Sequence, residues 1–373
     1  MDRAALTPPV CRALGRPTAD LLDWRSTAIH DGMSGGDVCR ISGQAQDGAE
    51  VVPWSLIRKV IRAPERAGDP ADTPSWKREA LIYAAGLLND LPGRLRAPRC
   101  YGIDQTSPAE VTLWQEDVPE AVPEWPLSRY ALAARHLGQF NGAHLAARPL
   151  PDQHFLHRGW LRSGIVRGMR GIERRREVAH HPLLRRCYPP HTVARLEQLA
   201  GDHLQILEAI FARLPMTFCH LDANRRNLLA TVAADGQEET VAIDWGQAGL
   251  DPVGIDLTCL VHSSLIWRFR GRLEQARDLD QCAFAGYVER LRDAGWHPAP
   301  RRVRFAFTAI TAIHYTVRSM SFQTSHLLNE ASHPWLEQVF GCPLPEVCDH
   351  WAELYRFHLD LTDEARGLMS ALA

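Results

Sequence analysis

The chain has 373 residues, 45% of them apolar, with 42 basic and 44 acidic side chains and a formal charge of −2. That length exceeds the usual single domain of roughly 100–200 residues, so two lobes with an interlobe cleft are expected. The near balance of charge excludes a nucleic-acid or anionic-membrane binder that works through bulk electrostatics.

Nine cysteines without a Cys-x-x-Cys pair argue against a zinc site or a disulfide framework. The start, Met1-Asp2-Arg3-Ala4, lacks the basic-then-apolar order of a signal peptide, and no apolar run approaches the ~20 residues of a membrane span. A cytoplasmic, reduced enzyme with no membrane partner is expected. Of the 42 basic residues only Lys59 and Lys77 are lysines, so the chain uses Arg almost wherever it needs positive charge.

In chain order, residues 1–20 contain three prolines and no clear periodicity, and read as an N-terminal arm. The segment Asp31–Ile41 is a Gly-rich turn between strand-like pieces, with Ser34 and Gly35 inside it. Such a turn can close over phosphates, because glycines let backbone N–H groups approach them; a plain hairpin is the other reading. Trp54–Ile61, rich in β-formers, reads as a strand. Alternation puts Lys59 on one face with Ile57 and Ile61. An edge lysine in solvent would satisfy this pattern, but a chain that writes Arg at indifferent sites points to a compact cation chosen for phosphate.

After a polar loop, Ser75 opens a helical pattern with Glu79 in its first turns. A carboxylate there suits the helix dipole and is equally placed to partner Lys59. Two more strand-like pieces, Arg99–Ile103 and Glu110–Asp117, follow. Apolar character ends at Gln115, and Pro119 and Pro123 come soon after, as at a hinge between lobes. At Gln115, Glu116 and Asp117 an adenine could exchange hydrogen bonds with the backbone. The chain then divides as 1–20 arm, 21–117 N-lobe and 118–373 helical C-lobe. From about residue 126 the periodicity is helical, and the Glu173–Arg176 charge run reads as a solvated helix face.

The stretch Phe218–Leu229 holds His220, Asp222 and Asn227, and Val241–Gly246 holds Asp244 at the end of an apolar strand. Phosphoryl transfer needs a carboxylate to receive the proton of the attacking hydroxyl, and an amide and a carboxylate to hold metal on the phosphates. Asp251 and Asp256, in the next loop, are structural caps or face a substrate.

The order and spacing of the Gly32–Gly36 turn, Lys59, Glu79, the Gln115–Asp117 segment, His220-x-Asp222-x4-Asn227 and Ile243-Asp244-Trp245-Gly246 resemble the aminoglycoside phosphotransferase and choline kinase superfamily over residues 28–260. The resemblance implies an α+β, bilobal protein-kinase-like fold, with a small antiparallel N-lobe carrying one helix and a larger, mainly α-helical C-lobe. It implies an O-phosphotransferase using ATP or GTP and Mg2+ on a small hydroxylated substrate, with Asp222 as catalytic base. Asn227 and Asp244 would be metal ligands, and Ser34, Gly35, Lys59, Glu79, Gln115, Glu116 and Asp117 would hold the nucleotide. His220 would brace the loop. Leu221 stands where many relatives have Gly, and the glycine turn is not a full Gly-x-Gly-x-x-Gly.

Asn224 stands where protein kinases usually carry Lys, and Asp244 to Asp256 leaves no room for an activation segment. A small-molecule acceptor is therefore expected, with antibiotic resistance as one possible role. Residues 252–373 hold 12 arginines against 14 acidic residues, so no acidic excess marks a site for a polycationic aminoglycoside. A neutral sugar or nucleoside-type antibiotic suits equally, and Trp160, Trp267 and Trp335 could stack on a sugar ring or pack in the core. The competing reading is a nucleotide-binding pseudokinase; its mark, loss of Lys59, Asp222 or Asp244, is absent.

Overall fold

The computed structural model describes residues 2–29, 37–64, 75–267 and 273–372. Ser34 and Gly35 lie outside these residues. The chain forms two compact units: the first comprises 1–123, 153–156 and 229–247, and the second 124–152, 157–228 and 248–373.

Unit one begins with helix α1 (Arg3–Leu14), which Asp2 caps by accepting from Ala4 N–H and Gly15 ends in the left-handed conformation, φ 66°. The residues expected as an arm are thus an ordered helix. Its two internal prolines remove hydrogen bonds, but Leu6 and Val10, one turn apart, are fully buried against Leu21, Ile41, Trp54 and Leu56. Burial of such side chains contributes about 1.5–3 kcal/mol each, which offsets part of that loss.

Strands β1 (Asp20–Ala28), β2 (Asp37–Asp47) and β3 (Glu50–Arg62) form an antiparallel meander. Helix α2 (Arg78–Ala84) and strands β4 (Leu95–Arg96), β5 (Cys100–Ser107) and β6 (Glu110–Glu116) follow. The five-stranded sheet runs β1-β2-β3-β6-β5. Alternation along β3 sends Trp54 and Leu56 into the core beneath α1 and leaves Ile57, Lys59 and Ile61 half-buried on the other face.

A second small sheet joins β4 in parallel to the strand Glu238–Ala242, with Leu228–Val232 beyond it. This pairing draws residues 229–247 into unit one, whose first break falls after Pro123 and not at the expected 117. The pattern could not reveal this, because it takes two strand residues of β4 to recruit a segment from far along the chain.

Unit two is helical. Helix α3 (Leu127–Ala146) lies along the helix Ala276–Asp293, and glycines permit the approach: a Cβ on Gly138 would stand 2.4 Å from the Tyr287 carbonyl oxygen. Helix α4 (Trp160–Glu177) follows, then the long helix Pro190–Arg213. A three-stranded sheet orders His157–Arg158, Gly249–Pro252 and Met216–Cys219. The C-terminal part consists of Ile255–Thr258 continuing into the π-helical Cys259–Ser263, Pro300–Ile310 continuing into the π-helical Thr311–Arg318, Ser319–Leu328, and the closing helix Leu344–Ala371. An α+β chain with a small antiparallel sheet and a mainly helical remainder is the fold class expected from the sequence. Among the described residues no helix is long and apolar enough to cross a membrane.

Candidate active site

In unit one, β3 and α2 bring Lys59 and Glu79 together: Lys59 Nζ is 2.6 Å from Glu79 Oε2 and 2.7 Å from Asp244 Oδ1. Burial works against the ammonium charge, but the Glu79 and Asp244 carboxylates outweigh it and raise the Lys59 pKa above the ordinary lysine value. For Glu79, burial pushes the pKa up and Lys59 opposes it. Edge exposure of Lys59 is excluded by its position on β3, which pairs with β2 on one side and β6 on the other.

Asp244 has a left-handed backbone, φ 61°, an uncommon conformation for a residue with a Cβ. Two contacts hold the turn. Trp245 is fully buried and its indole N–H donates to Ala242 O at 2.7 Å. The buried Arg78 guanidinium donates to Gly246 O at 2.7 Å and to Phe155 O at 2.6 Å. Arg78, adjacent to Glu79, is a residue the sequence pattern did not single out.

The residues expected at a hinge sit differently. Gln115 and Glu116 are the last rungs of the central strand β6, paired with Ile57 and Leu56 of β3, while Gln115 also faces Cys100 and Glu116 N–H donates to Arg99 O. Gln115 is buried, with its side-chain amide set against Glu79 and Tyr83. The Glu116 carboxylate is engaged by Arg96. Only Asp117 lies beyond the ladder, and its side chain is taken by Arg40 and Ser55. The side chains of Glu116 and Asp117 are thus already engaged, and the β3–β6 ladder ends at Glu116.

In unit two, the loop after Met216–Cys219 carries Asp222. Its carboxylate is aimed by two amides: Asn224 Nδ2 donates to Oδ1 at 2.9 Å and Asn227 Nδ2 donates to Oδ2 at 2.8 Å. With Nδ2 so occupied, Asn227 has its amide oxygen left for a cation. His220 Nδ1 accepts from Asp222 N–H at 3.2 Å, the bracing role expected of it. Leu221 has φ 65°, which explains in physical terms why glycine is at home at this position. Here leucine accepts the strain and is almost wholly buried, 1% exposed.

Asp256 clamps the same loop, accepting from His220 N–H at 3.1 Å, Leu221 N–H at 2.9 Å and Asn141 Nδ2 at 3.0 Å. Asp251 accepts from Trp160 N–H at 2.9 Å and Leu161 N–H at 3.3 Å, capping α4. Both are fully buried, so the structural reading of the pair holds. Burial pushes the Asp251 carboxyl up to about 7, against the pull of the two N–H groups.

Among the described residues no cluster of three or more His, Cys, Asp or Glu side chains could hold a metal. The donors Asn227 and Asp244, each in its own unit, are hard oxygens. Magnesium commonly takes one or two protein oxygens and completes its shell with water and phosphate, so the donor chemistry fits that ion.

Residues 37–303 match the profile of the phosphotransferase enzyme family. No curated protein matches the chain in sequence. In fold, the chain is similar to an aminoglycoside phosphotransferase from Alicyclobacillus acidocaldarius, with TM-score 0.55, 17% identity, and coverage of 93% of this chain and 92% of that one. It is also similar to an amicoumacin kinase solved with AMP-PNP and Ca2+, with TM-score 0.51, 12% identity, and coverage of 88% and 90%. A Plasmodium vivax ethanolamine kinase gives TM-score 0.50 and 11% identity over 92% and 83%.

Proposed function

The chain belongs to the phosphotransferase enzyme family and is by class a small-molecule kinase; from that premise we propose that it moves the γ-phosphate of ATP or GTP to a hydroxyl of a small molecule, with Asp222 as the catalytic base. The acceptor oxygen attacks the γ-phosphorus, the bond from that phosphorus to the β,γ-bridging oxygen breaks, and the hydroxyl proton passes to the Asp222 carboxylate. Asn224 and Asn227 fix the carboxylate, which spares the reorientation a free side chain would need.

Lys59 is the ligand of the nucleotide's α- and β-phosphates, with Glu79 holding the ammonium in place. The backbone from Asp117 onward is the part of the Gln115–Asp117 segment suited to the base. Asn227 of unit two and Asp244 of unit one would each offer an oxygen to Mg2+, which when bound would neutralise charge on the phosphates.

The observation that carries this reading is the buried Lys59 ammonium held between the Glu79 and Asp244 carboxylates. A structural ion pair would need one carboxylate; a second, on a residue held at positive φ, suits a cation and metal pair around phosphates. The test is a phosphate-transfer screen over sugars, aminocyclitols, nucleoside antibiotics and hydroxy acids, with Asp222→Ala alongside. Transfer that Asp222→Ala abolishes supports the reading; full transfer by Asp222→Ala, or tight nucleotide binding with no acceptor turned over, goes against it.

A further inference from the structure

The acceptor has to bring its hydroxyl to Asp222, and the surroundings of that carboxylate within unit two describe what it meets. Asp256, which holds the Asp222 loop through His220 and Leu221 N–H, lies on the Ile255–Thr258 helix that continues directly into Cys259 and Ser263. A chain of neutral groups follows that loop. Cys259 Sγ is 3.7 Å from Ser263 Oγ, and Ser263 Oγ is 3.4 Å from Tyr315 Oη.

One turn further along the same helical stretch the character changes to cationic. The Arg318 guanidinium lies 4.8 Å over the Trp160 ring, and His314 stacks on Trp160 with ring centroids 4.3 Å apart. Arg318 Nη1 is 3.1 Å from His314 Nε2. Gly164 of α4 makes the space: a Cβ there would stand 3.3 Å from Arg318 Cδ and 3.7 Å from His314 Nδ1. A flat, stacked guanidinium is preorganised for a planar or tetrahedral oxyanion.

Past Arg318, a groove of about 510 Å³ runs between α4 and the helix Ser319–Leu328, lined by Arg170, Arg174, Ser321, Ser325 and Asn329. Among the described residues no acidic one lines it, and none occurs from Thr311 to Leu328. Arg174 approaches Glu177 only at 3.7 Å, with both side chains more than half exposed, a contact of little energy. A surface of this sign repels ammonium groups and attracts anions.

We propose that the acceptor is an anionic hydroxyl compound, whose carboxylate or phosphate is held by Arg318, with Arg170 and Arg174 receiving the extension of a longer molecule. This rests on the phosphotransfer reading and names the substrate class for it. It separates this chain from enzymes whose acceptors are polycations, and it gives the neutral hydroxyls Ser263 and Tyr315 the task of orienting the reacting group.

The experiment compares full-length protein on matched acceptors: gluconate and glucuronate, glucose 6-phosphate and glycerol 3-phosphate, glucose and inositol, and kanamycin and ethanolamine. The variants are Arg318→Met, which keeps packing over Trp160 without charge, Arg318→Lys, which keeps charge, and the exposed double change Arg170→Gln with Arg174→Gln. The expected result is turnover confined to the carboxylate or phosphate compounds, with KM raised at least ~10-fold by Arg318→Met, as for loss of one charge-assisted contact, partly restored by Arg318→Lys, and with nucleotide affinity unchanged. Preference between the two anionic sets identifies which oxyanion is read.

Turnover confined to neutral or cationic compounds, or an Arg318→Met enzyme with unaltered KM, overturns the anionic assignment while leaving phosphotransfer intact. If nothing is turned over, calorimetry with the same anions decides. Binding that Arg318→Met removes upholds the anion site and leaves phosphotransfer to answer for the failure. No binding overturns the inference.

Discussion

Lys59 and Asp244, 185 positions apart in the chain, are joined by a 2.7 Å contact inside a single compact unit. Around that contact Lys59, proposed as the phosphate cation, the Glu79 carboxylate and the candidate metal ligand Asp244 form one electrostatic group. Replacing Lys59 by Ala leaves the Glu79 carboxylate, with a side chain only 3% exposed, buried without its partner. Destabilisation of roughly 3–5 kcal/mol is expected, together with a ~10²–10³-fold loss of kcat for removal of a preorganised phosphate contact. Glu79→Gln in the Lys59→Ala background restores part of the stability and none of the activity, as denaturant titration beside a transfer assay will show.

Asn224 holds one oxygen of Asp222. Asn224→Ala leaves the base in place but loosens its aim, so a loss of about 0.5–1.5 kcal/mol of orientation, or roughly 3–10-fold in kcat, is expected. KM for nucleotide stays unchanged. A loss as large as that of Asp222→Ala would give Asn224 a role beyond aiming.

Leu221 combines near-total burial with φ 65°. Both Leu221→Ala and Leu221→Gly lose its packing, on the order of 2–5 kcal/mol for a Leu→Ala change, but Gly alone recovers the roughly 1–2 kcal/mol of left-handed strain. The expected order of stability is therefore Leu, then Gly, then Ala, the reverse of the usual ranking of Ala over Gly. Melting temperatures of the three proteins settle it; Ala above Gly would mean the strain is not there.

The Asp251 carboxyl, at about 7, lies above its ordinary value of 3.8. The folded chain then keeps a proton that the unfolded chain releases, so this group's contribution is fully present below pH ~4 and is lost as pH rises through 7. Asp251→Asn removes that titration. The stability difference between wild type and variant is expected to shift toward the variant between pH 4 and 7 and to flatten above it; a difference independent of pH would mean Asp251 titrates normally.

The residues proposed for the chemistry are more legible in the sequence than their supports. Asp222, Asn227, Asp244, Lys59 and Glu79 follow from spacing and from the rarity of lysine, because each motif is local and each residue type suits one task. The clamp by Asp256 and the grip of Arg78 on Gly246 depend on contacts spanning 35 and 168 positions, which no local period encodes. Helix α1 was hidden by its prolines, since its stability comes from Leu6 and Val10 meeting a sheet formed later in the chain. Gln115 read as the end of an apolar run because its type is polar; in the fold it is buried beside Glu79, where a polar side chain faces a polar one.

Unit one also has an unusual relation to the order of synthesis. Its second sheet needs the strand Glu238–Ala242, and Lys59 needs Asp244, so the unit whose chain leaves the ribosome first cannot finish until residue 247 has followed. Until residue 247 has emerged, a nascent chain holds Lys59 and Glu79 without the carboxylate that completes them, while α3, α4 and the helix Pro190–Arg213 are already available to fold. A fragment ending at residue 123 would retain the five-stranded sheet and yet lack the group it was built to present. Supplying 229–247 as a separate peptide is the natural way to ask whether that sheet waits for its last strand or forms without it.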